Sequence, residues 1–550
     1  MDWTQIPDWL SAVSSLGALA FAAVAAIAAM RVYRIESSRD EANAETRKKQ
    51  ESLERRSQAA LVSAWWGHDD VDGGWGVYVR NASETPVYDA KFSVLDIHDP
   101  NSSERFDLAV VPPASEPVVH SSPVRTEHPE HCRVEVTFTD SAGRRWIRDR
   151  QGQLHELGQR VLIWGDAKRV KALRQFFTGF LAEFEVEARF RTGKIEELRD
   201  ELLDTGASDP VPDIVIGPHD WIGGLVESGL IEPILLSPKH REAFDPLALK
   251  AMAYRGDLYG IPYAFDSTAL IRNTDLAPEA PSSFEDMLAA GEELRRTGAV
   301  EHSFVMQVPD PYYMYPVVLA GGGRFFGSGA DGSLNPAELH VDTPPSHVGF
   351  ERFRELGSAG LDCLRPGIGR DEAVELFVTG RTPYLLCTSR MLSDAQQAGL
   401  RFAVGPVPPF EGVAPIKPMV SVHGFFLTRR GRNKAIARDL IVDHLTRSDV
   451  SSELRQVWPH VPTLREVLDS SRESDPAVRS FYEACRVGDL MPSIPEMGEV
   501  WAAMQRTMVQ LVDGDEVAPA ARQLSRRLEE VLGRRAIEGL PEQRTGERID

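Results

Sequence analysis

From about Gly158 onward, short apolar runs alternate with amphipathic stretches, and this rhythm restricts the fold more than any other feature of the chain. Arg160 to Trp164 reads as a strand, Lys168 to Phe184 as a helix, and Val186 to Arg191 as a strand. Ile195 to Thr205 then reads as a helix and Asp213 to Gly217 as a strand. Periods near two and near 3.6 taken in turn are the pattern of a mostly parallel sheet covered by helices. Further units follow in Leu258 to Phe265, a helix Ser283 to Thr297 and a strand Phe304 to Val308. Two helices, Phe350 to Ala359 and Asp371 to Thr379, precede a strand Tyr384 to Cys387. After about Ser474 the chain is mostly helical, closing with Ala518 to Arg535, and residues 536–550 read as a polar, disordered tail.

Within this region, Val211 to Leu230 gathers the marks of a ligand site. Ile214 to Ile216 is too short for a helix and is bounded by Pro212, Gly217 and Pro218, so it reads as a buried strand ending in a loop. The loop carries His219, Asp220 and Trp221, and a helix starts near Gly223. Ligands of open α/β sheets sit beyond the carboxyl ends of strands, where such loops gather. A carboxylate beside an aromatic suits a saccharide: the acid accepts hydroxyl hydrogen bonds and the ring covers an apolar sugar face. A capping Asp and a core Trp would give the same pattern. Asp310-Pro311-Tyr312-Tyr313 supplies an acid and two rings close together, with Pro311 stiffening a loop, and Trp501 falls on a helix beginning after Glu496. For these three rings, core packing competes with stacking on a ligand.

The amino-terminal part is different. Trp9 to Met30 contains no charged residue and is long enough as a helix to cross a hydrocarbon core of ~30 Å. Trp3, Trp9 and Tyr33 stand where interfacial aromatics belong. The preceding flank holds Asp2 and Asp8 and no Lys or Arg, the reverse of a signal peptide, and no cysteine follows to carry a lipid. Residues 1–33 are therefore expected to be an uncleaved, single-pass transmembrane anchor. Arg31, Arg34, Arg39, Arg47, Lys48, Lys49, Arg55 and Arg56 follow the span, which places the amino terminus outside and the bulk of the chain in the cytoplasm. Residues 34–61, rich in Ala, Glu, Arg and Lys, are expected as a helical stalk. From 62 to 157, alternation at Val77 and Val79, Val87 to Val94, and Val134 to Phe138, with a turn at Asp140 to Gly143, predicts a small β-sandwich. Trp65, Trp66 and Trp75 are read as its core and edges, and nothing in it carries chemistry.

Composition excludes several function classes. A formal net charge of −21 opposes nucleic-acid binding, which Lys and Arg drive. Cys132, Cys363, Cys387 and Cys485 are scattered without CxxC spacing, so neither a zinc site nor a disulfide framework is expected. His128-Pro-Glu-His131-Cys132 reads as a surface loop, because Pro129 opposes a helix there. There is no GxSxG, HExxH or P-loop, and Gly327 to Gly332 matches GxGxxG without a strand-to-helix context. No cofactor, metal or catalytic activity is expected; a glycoside hydrolase using Asp220 and Asp266 is the remote alternative.

An ordered set of motifs goes further. Ile163-Trp-Gly-Asp166, Pro212-Asp-Ile214, His219-Asp-Trp-Ile-Gly-Gly224 and Glu227-Ser-Gly-Leu230 are followed by Gly256-Asp-Leu-Tyr-Gly-Ile-Pro262 and Leu270-Ile-Arg-Asn-Thr-Asp275. Asp310-Pro-Tyr-Tyr-Met-Tyr-Pro316 and Met491-Pro-Ser-Ile-Pro-Glu-Met497 complete it, with Trp501 behind. In this order, residues 158–535 resemble the extracellular solute-binding proteins of sugar ABC transporters, the maltose/maltodextrin-binding kind in particular. The resemblance implies an α/β, two-lobed, periplasmic-binding-protein-like clamp (type II) that closes on a sugar. One lobe would hold about 158–264 and 420–468, the other about 265–419 and 469–535. Asp166, Lys168, Asp220, Asp310, Tyr312, Tyr313 and Trp501 match family sugar contacts, and Asp266 stands where the family has Glu. Four positions depart: Gly217 replaces a Trp, Trp221 an Arg, Arg390 a stacking Trp, and Gln505 an Arg, all reshaping the cleft. The implied function is a membrane-anchored oligosaccharide-binding protein serving ABC permease subunits, with the clamp outside the cell. The flanking charges leave open a cytoplasm-facing sugar sensor or scaffold that relays ligand state to a signalling partner.

Overall fold

The computed structural model describes residues 56–68, 75–96, 103–121, 132–158, 160–205, 211–329 and 333–537. The expected membrane anchor, all of the stalk before residue 56, the His128–His131 loop and the tail from 538 lie outside these residues. Among the described residues no helix is long and apolar enough to cross a membrane. The chain divides into two compact units, Met1–Glu156 and Leu157–Asp550.

Short strands separated by turns produce the first unit. Its strands are β1 (Val62–His68), β2 (Trp75–Asn81), β3 (Val87–Asp96), β4 (Ser103–Val111), β5 (Val118–Ser121), β6 (Cys132–Thr139), β7 (Arg145–Arg148) and β8 (Leu154–Glu156). They form two antiparallel sheets, β1-β2-β5 and β4-β3-β6-β7-β8. Val77 and Val79 from one sheet, and Phe92, Val136, Phe138 and Trp146 from the other, share one core. Asp140 ties the β6–β7 turn to that core: Oδ1 accepts the N–H groups of Ala142 and Arg144, and Oδ2 accepts the Trp146 indole N–H at 2.9 Å. Trp65 stacks on Tyr78 and Trp66 on Trp75. The sandwich starts earlier than residue 62. Residues 56–60 form a helical turn, Ala59 is fully buried in the core, and the Arg148 guanidinium donates to the carbonyls of Ala59, Ala60 and Val62.

The second unit holds β9 (Arg160–Asp166), β10 (Glu187–Gly193), β11 (Ile214–Pro218), β12 (Ala253–Tyr254), β13 (Asp257–Leu258), β14 (Gly260–Ser267), β15 (Ala269–Asn273) and β16 (Val305–Met306). After these come β17 (Phe326–Ser328), β18 (Leu334–Leu339), β19 (Tyr384–Cys387), β20 (Phe402–Gly405), β21 (Met419–Leu427), β22 (Val461–Pro462) and β23 (Asp489–Leu490). One sheet runs β10-β9-β11-β21-β14-β22, with β23 added to β21, and the other runs β16-β19-β15-β20. Both sheets are mixed, not mostly parallel. Strands β9, β10 and β11 run parallel, but β21 is antiparallel to β11 and β14. The reason is connectivity: the chain leaves the first sheet after Ser267, builds the second, and re-enters at Met419 from the opposite side. Every residue of β14 and β21 is buried. That continuous burial is how strands covered on both faces read in a sequence.

Two helices depart from the sequence expectation, and proline explains both. Pro311 opens the helix Pro311–Ala320 where a stiff loop was expected, and Pro344 opens Pro344–Arg354, before the expected start at Phe350. A proline in the first helical turn lacks an N–H that would have no intrahelical partner, and its fixed φ suits the helix.

Candidate functional site

The carboxyl ends of β9 and β11, the crossing strands β14 and β21, and three later segments bring charged and aromatic side chains together. Asp166 ends β9 and caps the helix Ala167–Glu183 by accepting the Arg169 N–H. Its other oxygen takes the Arg169 guanidinium at 2.5 Å. Arg169 is only 2% exposed and reaches on to His423 Nε2, at 2.8 Å, in the middle of β21. His423 Nε2 lies 4.0 Å from Asp266 Oδ2 on β14, and Arg390, just after β19, places its Nε 3.6 Å from the same oxygen. Asp266 Oδ1 accepts the Ser389 N–H and hydroxyl. Arg169 and, from beside the other sheet, Arg390 thus string together two acids and a histidine of the first sheet.

Burial and charge set the ionisation of this chain. Burial raises the Asp266 carboxyl, and the nearby Arg390 and Arg169 charges only partly offset it. Burial also pushes Asp166 up, but Arg169, Arg390 and the cap hydrogen bonds together hold it below the usual carboxylate range. His423 is driven well below its ordinary value by burial and then by Arg169. It accepts the guanidinium hydrogen bond as a neutral ring. The Tyr263 hydroxyl, pushed up by burial, lies in the field of the same four charged groups and has no hydrogen-bond partner among the described residues.

A second cluster adjoins the first. Asp220 sits in the turn His219–Trp221 that follows β11. Its Oδ2 accepts the indole N–H of Trp501 at 3.0 Å, across 281 residues of sequence, while Oδ1 is buried with no partner among the described residues. The Trp501 ring stands 6.5 Å from that of Tyr312, edge to face. Tyr312 donates its hydroxyl to the Met419 carbonyl at 2.9 Å, with the Asp266 carbonyl at 3.3 Å, so it spans both crossing strands. His219 locks the loop in place. Its Nδ1 accepts the Val422 N–H and its Nε2 donates to the Met491 carbonyl, a neutral tautomer consistent with a pKa lowered by burial. At the rim, Lys168 Nζ meets Asp371 Oδ1 at 2.9 Å, and this bond holds the Asp371 carboxyl down at about 2.

The structure does not bring every expected residue to this place. Trp221 is 4% exposed and fills the space over Gly217, where an added Cβ would lie 2.6 Å from its ring. The two positions are therefore coupled: the indole occupies volume that a side chain at 217 would need. Tyr313 is buried in the core with its hydroxyl toward Cys387. Asp310 caps the helix Pro311–Ala320 through the Tyr312 N–H. Gln505 is exposed, one turn beyond Trp501. Sequence reasoning in turn passed over Arg169, His423 and Tyr263. The Asp166-x-x-Arg169 spacing at a helix start was a usable signal, whereas His423 sits in a uniformly buried strand with nothing local to mark it. Among the described residues no His, Cys, Asp and Glu group could hold a metal, and the four cysteines are buried and in no disulfide.

The site thus gathers acids, guanidiniums and aromatic rings from distant parts of the chain. The family described as bacterial extracellular solute-binding protein matches residues 175–479. A maltotriose-binding protein of Pyrococcus abyssi is 27% identical over 58% of this chain and 70% of its own length. A galactooligosaccharide-binding protein of Bacillus subtilis is 21% identical over 65% of this chain and 85% of its own, and a maltodextrin-binding protein of the same organism 21% over 62% and 83%.

Proposed function

Because the chain belongs to the bacterial extracellular solute-binding proteins, we propose that its cleft binds a short oligosaccharide of the maltodextrin kind for delivery to an ABC permease, without catalysing a reaction on it. The carrying observation is the Trp501–Asp220 bond beside Tyr312: an aromatic face and an acid held together, with Asp220 Oδ1 buried and without a partner among the described residues. A sugar hydroxyl donating to that oxygen would remove the cost of leaving it unmet. Arg390, standing where related clefts stack a second ring, shortens the aromatic track and favours a ligand of few sugar units. Delivery to a permease places the clamp outside the cell, tethered by the apolar run 9–30.

The test is calorimetric titration of the full chain with maltotriose. Trp501→Ala and Asp220→Asn should each weaken binding by ~1–3 kcal/mol, the scale of a lost buried contact, with the thermal midpoint little changed. Titrations indistinguishable from the unsubstituted protein for both variants would place the sugar elsewhere. Recovery of cleaved sugar would return the hydrolase reading.

A further inference from the structure

Away from the cleft, the last two helices, Met497–Val512 and Val517–Ile537, enclose a groove of about 620 Å³. Arg506, Thr507 and Gln510 line it from the first helix, and Arg522, Arg526 and Arg527 from the second. Four guanidiniums and one carboxylate, Glu530, line it on a protein whose formal net charge is −21. Most arginines of this unit sit against an acid, as Arg295 on Glu292, Arg381 on Glu301 and Arg472 on Glu483 do. Arg527 follows that habit with Glu499 and Glu530. Arg506, Arg522 and Arg526 do not: they are exposed, and among the described residues none has an ion-pair partner.

For Arg506 and Arg522, their own helices offer none at helical spacing. Three and four positions away from Arg506 stand Ala502, Ala503, Val509 and Gln510; around Arg522 stand Ala518, Pro519, Ser525 and Arg526. The Arg522–Arg526 pair is a like-charge contact at the spacing where side chains on a helix meet, which opposes the helix. Of the acids beyond Arg526, Glu529 is bonded by the Ser525 hydroxyl and Glu530 by Arg527.

We infer that this groove is a second binding site, for a small polyphosphate. Guanidinium forks match phosphate oxygens two at a time. The Gln510 and Gln523 amides, one from each helix, offer further donors. The volume is that of a small-molecule site, within the usual ~300–1,000 Å³. The concave shape between two helices favours a compact anion over a flat membrane surface. An arriving polyanion would also relieve the Arg522–Arg526 repulsion.

The probe is inorganic tripolyphosphate, titrated calorimetrically into the full chain at low ionic strength. One-to-one binding is expected, weakening as salt is raised because exposed charges are screened. Arg506→Gln combined with Arg522→Gln should weaken it roughly tenfold or more, and Arg526→Gln alone severalfold, as expected for lost charge-assisted bonds. Arg296→Gln, on a different helix, should leave it unchanged. Equal loss in the Arg296 variant, undiminished binding in the groove variants, or no heat with tripolyphosphate would each overturn the inference. Capture by phosphatidylglycerol vesicles in that last case would assign the arginines to a membrane instead. Equal thermal midpoints across the variants would show that none acts by unfolding.

Discussion

Single positions carry much of the shape of this cleft, and Gly217 is the clearest case. A methyl group there would meet the Trp221 ring at 2.6 Å, with no flexible end to yield. Gly217→Ala should therefore destabilise the protein by ~1–3 kcal/mol, the usual cost of overpacking. Trp221→Leu should cost a comparable amount by leaving a cavity. The double variant should lose less than the two singles added together, because the smaller side chain makes room for the methyl. Urea unfolding of the three variants measures this, and strict additivity would mean the two positions are not coupled. At this scale legibility was uneven. The strand ending at Gly217 could be read from its flanking prolines and apolar run. The indole's direction could not, because nothing near Trp221 in sequence says that Gly217 has left a space for it.

Among elements, β21 and its partners decide the behaviour in acid. His219 is bonded to its Val422 N–H, His423 lies within it, and His460 packs against Tyr263 of neighbouring β14. Burial lowers all three, His460 to about 4. Each is neutral when folded, so the unfolded chain takes up protons first as pH falls below ~6.5, and stability drops with it. His460 alone should cost about 2 kcal/mol between pH 6.5 and pH 5. Asp266 opposes the trend, since its raised pKa favours the protonated folded form, while Asp166 adds to the loss only below the ordinary carboxylate range. The urea midpoint should fall from pH 7.5 to pH 5; a flat profile would show that these histidines take up protons without unfolding. Helices such as Met497–Val512 could be anticipated from apolar spacing. The antiparallel entry of β21 could not, because its partner Ile214 to Pro218 lies some two hundred residues away in sequence.

For the molecule as a whole, the α/β solute-binding fold was legible from ordered motifs spread over residues 158–535, though no one of them would have sufficed. The orientation is where two arguments collide: charges after residue 30 favour a cytoplasmic clamp, and the proposed delivery role needs it outside. Protease added to intact cells should degrade the clamp if the delivery reading holds. Full protection, with digestion only after the cells are opened, would favour the sensor instead.

The central position of β21 also bears on how the protein is made. Strand β11 leaves the ribosome about two hundred residues before the segment that must lie beside it. Until Met419–Leu427 has emerged, the apolar edge of β11 has no companion, and a nascent half-sheet stands open to self-association. An interval of that length is set by the order of the strands along the chain, not by the stability of the finished sheet.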